Sequence, residues 1–236
     1  GDPSCSIELV VSLSGAVSVT FEGEGASGTE AAFVAGMHTS PVRIHEAGPS
    51  RGIHVKLSPR AVRACFGPGA AELAQSVVDL EGLAGARASE LVERLSEAVA
   101  WEERHALVRE FLRSGAVHPA VRPELDLAWR RLVGSAAPSV DGVAHEVGWS
   151  RRHLASQFQR EYGLSPSTVR RVARFERARR ALRGGVTLSG AAVAAGYFDQ
   201  AHMTREWSRL AQSTPARWLR EPLPSVQDTG ALPCEA

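Results

Sequence analysis

Apolar side chains fall at every second position over the first sixty residues, and beyond residue 120 they recur every three to four. Ile7, Leu9, Val11 and Leu13 alternate with other residues, as do Val17, Val19 and Phe21, and Ser14-Gly15-Ala16 supplies a turn between the two runs. Further short strands are predicted over residues 31–35, 42–45 and 52–57. In the last of these, Ile53, Val55 and Leu57 form one face, while His54 and Lys56 form the other. Ser58-Pro59 then has the form of an N-cap followed by proline at the first helical position, and Gly67-Pro68 ends that helix. Residues 89–113 are predicted as one longer helix, with Leu91, Leu95, Val99, Leu107, Phe111 and Leu112 as its apolar positions. Gly115 to Pro119 leads to a domain boundary near 114–122.

From there the pattern is helical throughout. Helices are predicted over 123–133 (Leu125, Trp129 and Leu132 inward), 140–147, 150–162, 167–182, 188–195, 199–211 and 215–219, with a loop at 136–139. Two of these segments repeat. Ala144-x3-Gly148, Leu154-x3-Phe158, Gly163 and Pro166 are answered by Ala192-x3-Gly196, Met203-x3-Trp207, Gln212 and Pro215. The Ala and Gly positions are offset by 48 and the later ones by 49, so one extra residue lies in the second turn. A small residue lets two helices approach, glycine permits the positive φ of a tight turn, and Ser150 and Asp199 stand where an N-cap belongs. Each copy is a helix-turn-helix. The fold class expected is an α+β N-terminal domain (a small antiparallel sheet or partial barrel plus helices) over 1–115. An all-α domain with two helix-turn-helix motifs joined by a central helix follows over 116–222, and a loose tail covers 223–236.

Charge sharpens this division. The whole chain is close to neutral at +1, but residues 120–222 hold 17 Arg and no Lys against nine acidic residues, a net +8, whereas residues 1–119 carry −5. A basic half can neutralise phosphates, and an acidic half need not touch them. The second helix of each motif turns polar side chains away from its i, i+4 apolar pair: Arg151, Arg152, Ser156 and Gln157 in the first, Gln200, His202 and Arg205 in the second. Arg and Gln have the donor geometry to read guanine and adenine edges, so these seven are the base-reading candidates. Ser150, Arg170, Arg174, Thr204, Arg209 and Thr214 are the phosphate candidates, from helix starts and the Arg-rich central helix. Arg177, Arg179 and Arg183 are read with the exposed arginines of that helix, and His153 as packing at the seam between helices. Trp149, Phe158, Tyr197 and Trp207 are read as core.

Gly148-Trp149-Ser150-Arg151-Arg152-His153-Leu154, Tyr162-Gly163-Leu164-Ser165-Pro166, Gly196-Tyr197-Phe198-Asp199-Gln200-Ala201-His202 and Ser213-Thr214-Pro215 with Trp218 resemble the AraC/XylS family of bacterial transcription regulators. The resemblance covers residues 123–221, about two-fifths of the chain. It departs at Ser156, where the family often carries arginine, and at Gln212, where it usually carries glycine. It implies a sequence-specific transcriptional regulator that inserts helices 150–162 and 199–211 into adjacent major-groove segments of double-stranded DNA. It also implies RNA polymerase as a partner, a small-molecule effector or a protein partner at the N-terminal domain, and a homodimer. The N-terminal half more loosely resembles sensor-like domains that precede this module, through its strands, Leu57-Ser58-Pro59 and Asp79-Leu80.

The competing readings are a DNA-repair alkyl-acceptor enzyme and a regulator that answers to protein partners alone. Alkyl-acceptor chemistry needs an activated thiolate, and Cys5, Cys65 and Cys234 form no cluster, so no catalytic residue is assigned. His38, His45 and His54, with Glu30 and Glu46 nearby, lack an H-x-H pair; no metal or cofactor is expected. Cys65, beside Phe66, is read as an apolar filler. Three scattered cysteines, no membrane-length apolar run and no signal-peptide pattern point to the cytoplasm, and DNA binding to the nucleoid. The abrupt start near a strand suggests that Gly1 is a trimmed or processed end.

Overall fold

A computed structural model describes residues 1–21, 28–45, 51–115, 121–134 and 138–220. The predicted C-terminal tail lies outside them.

The first half contains the strands β1 (Ile7–Ser12), β2 (Val17–Phe21), β3 (Gly28–Glu30), β4 (Ala32–Ala35), β5 (Val42–His45) and β6 (Gly52–Leu57). Helices α1 (Pro59–Phe66) and α2 (Ala70–Leu73), strand β7 (Val77–Asp79), and helices α3 (Leu80–Ala84), α4 (Ala86–Glu97) and α5 (Trp101–Arg113) follow. The strands build two antiparallel sheets rather than one, in the orders β6-β1-β4-β7 and β3-β2-β5. Val10, Phe33 and Val77 of the first sheet and Val17, Val19 and Val42 of the second share one apolar cluster. This cluster explains why β1 does not keep a polar face. It is a central strand, paired with β6 (Ile7 opposite Leu57) and with β4 (Leu9 opposite Val34), and Val10 is buried as well as Ile7, Leu9 and Val11. The edge strand β6 keeps the predicted alternation, with His54 and Lys56 exposed.

Helix α1 begins as predicted: the Ser58 side chain accepts from the Ala61 N–H, Pro59 holds the first turn, and Gly67 closes the helix at φ 90°. The long helix predicted over 89–113 is two helices. Ala98 and Ala100 adopt extended backbone angles, and Val99, predicted to be inward, is 88% exposed at the break. No Gly or Pro marks this break. The Arg104 side chain reaches back across the break, and its Nε donates to the Leu95 carbonyl at 3.3 Å, satisfying a carbonyl at the end of α4. Strand β7 and the short helices α2 and α3 were beyond the periodicity, being three to five residues long.

The second half is all helical: α6 (Pro123–Val133), α7 (Val140–Glu146), α8 (Arg151–Tyr162), α9 (Pro166–Arg183), α10 (Leu188–Ala195), α11 (Gln200–Ala211) and α12 (Pro215–Trp218). The chain divides into two compact units. Among the described residues, one holds those within 6–37 and 42–121; the other holds those within 122–220 together with the short segments Gly1–Cys5 and His38–Pro41.

Candidate nucleic-acid interface

Every helix from α7 to α12 starts on a side-chain cap. Ser139 accepts from Gly142 N–H, Ser150 from His153, Ser165 from Thr168, Thr187 from Gly190, Asp199 from His202 and Thr214 from Arg217, at 2.6–3.2 Å. Each such cap stabilises its helix by about 1 kcal/mol. The two helix-turn-helix turns close in the same way. The Trp149 N–H donates to the Ala144 carbonyl at 2.8 Å, and the Tyr197 N–H donates to the Ala192 carbonyl at 2.9 Å. The glycines between have φ +73° (Gly148) and +80° (Gly196), where a side chain would be strained. In the first motif Trp149 is followed at once by the cap Ser150, whereas in the second Phe198 stands between Tyr197 and the cap Asp199. Phe198 is therefore the extra residue behind the change of offset, and it is 92% exposed.

The central helix α9 packs against α6, α8, α10 and α11. An aromatic cluster underlies the second helix of each motif. Trp129 and Phe158 lie 4.6 and 4.8 Å from Tyr162 beneath α8, and Phe175 and Trp218 lie 4.6 and 5.3 Å from Trp207 beneath α11. Val169, Val172, Phe175 and Leu182 are buried on α9 as predicted.

Three arginines on α9 depart from their expected exposure. Arg177 is buried and donates to the carbonyls of Val133 (3.1 Å) and Gly134 (2.8 Å) at the end of α6 and of Ala195 (3.4 Å) at the end of α10. It satisfies terminal carbonyls of two helices at once and places positive charge at their negative dipole ends. Burial lowers its guanidinium pKa, an effect the nearby Tyr197 opposes. Arg174, expected on a phosphate, instead donates to both carboxylate oxygens of Glu206 at 2.9 and 2.8 Å and lies 5.0 Å over the Tyr197 ring. Burial, then the Glu206 charge, raises the Tyr197 hydroxyl well above the ordinary phenol range. Arg179 pairs with Asp2 at 2.9 Å, and Asp2 also accepts from the Trp218 indole at 3.2 Å. Nearby, the Ser4 hydroxyl and the Cys5 N–H donate to Glu176 at 2.8 and 3.3 Å. No local sequence signal foretells these contacts, because their partners lie more than 170 positions apart.

The base-reading candidates separate into two groups. Arg152, Gln200 and Arg205 are exposed, and among the described residues none of the three has a hydrogen bond or ion pair. Arg151 is exposed but faces Asp141 at 3.3 Å. Ser156 accepts from Arg160 at 3.3 Å, and Gln157 is half-buried. His202 is held on three sides: Nδ1 accepts from the Phe198 N–H at 3.4 Å, Nε2 lies 3.7 Å from Glu206, and its ring stands edge-on to Tyr197 at 5.3 Å. Of the phosphate candidates, Arg209 is exposed with no side-chain partner among the described residues, Arg170 and Thr204 are half-buried, and the Ser150 and Thr214 hydroxyls serve as caps at helix starts. His153, expected at a seam, is exposed with its ring 4.7 Å from Trp149. Trp149 is only half-buried and carries Arg122 over its ring at 5.0 Å, while Phe158, Tyr197 and Trp207 are core.

The remaining polar candidates have partners or are exposed. His38 is buried with Nε2 2.9 Å from the Asp2 carbonyl, and His45 and His54 are exposed. Cys65 is buried and donates to the Leu112 carbonyl at 3.2 Å. Among the described residues no helix is long and apolar enough to cross a membrane.

Two capped helix-turn-helix motifs fixed to one central helix, each with a polar face on its second helix, define a double helix-turn-helix DNA-binding module. A family profile described as a helix-turn-helix domain matches residues 143–221, the stretch that carries both motifs. The chain is similar to an uncharacterized HTH-type transcriptional regulator of Bacillus subtilis, YbfI, with 31% identity over 65 residues, which span 28% of this chain and 24% of that protein. The chain thus matches about a quarter of the length of that relative. Two structures of ToxT from Vibrio cholerae share the fold over 92% of this chain. The apo form covers 90% of its own chain at 9% identity and TM-score 0.54, and the form bound to an unsaturated fatty acid covers 88% at 8% identity and TM-score 0.52. At these identities the likeness is one of fold.

Proposed function

We propose that this protein is a sequence-specific transcriptional regulator. It places α8 and α11 in successive major grooves on one side of double-stranded DNA. Arg205, Gln200 and Arg152 read base edges, and Arg209 and the helix starts at Ser150 and Thr214 contact phosphates. The observation that carries this reading is the pair of free, exposed donors on α11, Gln200 and Arg205, presented by a helix whose other side is locked through Trp207 and Glu206 to α9. At about 1.5 Å per residue, the 18 residues of α9 span about 27 Å. With the widths of the reading helices added, that suits two groove segments about 34 Å apart.

The N-terminal unit is the seat of control. The fatty-acid-bound form of ToxT supports a small molecule as the controlling signal, while dimerisation and contact with RNA polymerase follow from the family reading. The protein works in the cytoplasm on the nucleoid. The alkyl-acceptor reading gains nothing from Cys5: burial, then the Glu176 charge, raises its thiol pKa, which opposes the thiolate such chemistry needs.

The test is selection from a pool of genomic DNA fragments at physiological salt. Enrichment of discrete sites with two half-motifs about one turn apart is the expected result. Uniform retention that vanishes with salt would leave only non-specific electrostatic binding and would reject the reading of α8 and α11 as base readers.

A further inference from the structure

The segment Gly1–Cys5 belongs to the same compact unit as the two motifs, although it lies far from them in the sequence. Asp2 is its hub. One carboxylate oxygen, Oδ2, accepts from the Arg179 guanidinium of α9 at 2.9 Å and from the Trp218 indole N–H of α12 at 3.2 Å. Both the Asp2 and the Arg179 side chains are mostly buried. The segment is itself held in place. Ser4 and His38 exchange two backbone hydrogen bonds at 3.0 Å, and the Asp2 carbonyl lies 2.9 Å from Nε2 of His38. The Ser4 hydroxyl and the Cys5 N–H are tied to Glu176 of α9. On the other side of this contact, the buried Trp218 ring stands edge-on to Trp207 of α11 at 5.3 Å, and the Arg183 guanidinium lies over it at 5.1 Å.

We propose that Asp2 is a positioning residue for base reading by α11. The inference rests on the DNA-binding reading above and adds that the second motif is completed by a residue outside the helix-turn-helix module. Three observations support it. Helix α12 is one turn of four residues, too short to hold its own geometry, so its place depends on side-chain contacts. Asp2 supplies the acceptor for the buried Trp218 N–H, and Trp218 packs on Trp207, which underlies the helix that carries Gln200 and Arg205. Asp2 also offsets crowded positive charge: burial, then the charge of Arg179, lowers the Arg183 pKa, and Asp2 opposes that shift. Without Asp2, the Trp218 indole loses its acceptor, and Arg179, whose Nε is already buried without a hydrogen-bond partner, loses its counter-charge. A shift of α12 relieves both costs and takes the support from beneath α11. The cluster beneath α8 is built from Trp129, Phe158 and Tyr162, so the loss falls on the second motif.

The test uses titrated hydroxyl-radical footprints of the full chain on a DNA site selected from genomic fragments. The half-motif read by α11 is identified as the one whose base preference relaxes in Arg205→Ala. In Asp2→Ala, protection of that half-motif should weaken about tenfold relative to the half-motif read by α8. Asp2→Glu keeps a carboxylate and should recover most of the loss. Trp218→Phe keeps a ring but removes the N–H; it should reproduce the Asp2→Ala pattern, and the double variant D2A/W218F should lose little more than either, because both changes remove one contact. Unchanged protection of both half-motifs in Asp2→Ala would overturn the proposal while leaving the regulator reading intact. Equal weakening of both half-motifs would make Asp2 a general stabiliser and also overturn it, as would additive losses in D2A/W218F. A wild type that retains no preferred DNA would fail the underlying reading instead.

Discussion

Nη2 of Arg174 on α9 donates to both carboxylate oxygens of Glu206 on α11, at 2.9 and 2.8 Å, with side chains only 11% and 15% exposed. This pair fixes α11 to the central helix beside the Phe175–Trp207 contact. Helix α11 depends on this anchor to keep its orientation while its outer face remains solvated.

Removing one partner of this pair should be costly. Glu206→Gln or Arg174→Met is expected to destabilise the chain by about 3 kcal/mol, because the remaining charge stays buried without compensation. The double variant R174M/E206L should recover much of that loss. Denaturant unfolding of all three variants checks this; single and double variants of equal stability to the wild type would show that the pair contributes little.

The motif turns permit a test in both directions. Gly196→Ala should cost about 1–2 kcal/mol through backbone strain at φ +80°, since nothing lies within 4 Å of an added Cβ. Gln212, one of two non-glycine residues with positive φ among those described, closes α11 at φ 51°. Gln212→Gly, the residue the family usually carries there, should stabilise by up to about 1 kcal/mol. Opposite shifts in melting temperature are the expected result.

Arg205 and Arg209 should fail differently when truncated. Arg205→Ala is expected to cost about 1–3 kcal/mol on the preferred site and to relax base choice at one position. Arg209→Ala should weaken all sequences equally and reduce the salt slope by about one. Competition binding on single-base variants of the site distinguishes the two, and equal loss on every sequence for Arg205→Ala would remove it from base reading.

Cys5 gives a pH dependence with a definite sign. Its thiol is buried and donates to the Val169 carbonyl at 3.5 Å, and its folded pKa is raised well above 9.0, chiefly by burial. Below pH 9.0 folded and unfolded chains both carry the proton, so the contribution is complete there. As pH rises above that value the unfolded thiol ionises first, the unfolded chain binds fewer protons, and stability falls by up to about 1.4 kcal/mol per pH unit. Unfolding measured from pH 8 to about pH 10 in the wild type and in Cys5→Ala should show that extra loss in the wild type only. Native Cys5 should also resist alkylation.

Much of the C-terminal half was legible because its rules are local. Ser150, Asp199 and Thr214 as caps, Gly148 and Gly196 as turns, and the pairs Leu154/Phe158 and Met203/Trp207 as buried stripes all follow from spacing within a few residues. The break between α4 and α5 was not legible, because Arg104 caps Leu95 without any breaker residue in the sequence.

The sequence by itself determined the repeat, the charge division between the halves and the chemistry displayed on α8 and α11. Only the tertiary structure decided which arginines remain available. Arg170, Arg174, Arg177 and Arg179 are alike in sequence and lie on one helix. Yet Arg177 caps α6 and α10, Arg174 binds Glu206, Arg179 binds Asp2, and Arg170 faces an open cavity. The physical reason is that a guanidinium takes its role from the carbonyls and carboxylates that distant segments bring within about 3 Å of it, and hydrophobic periodicity carries no information about those partners.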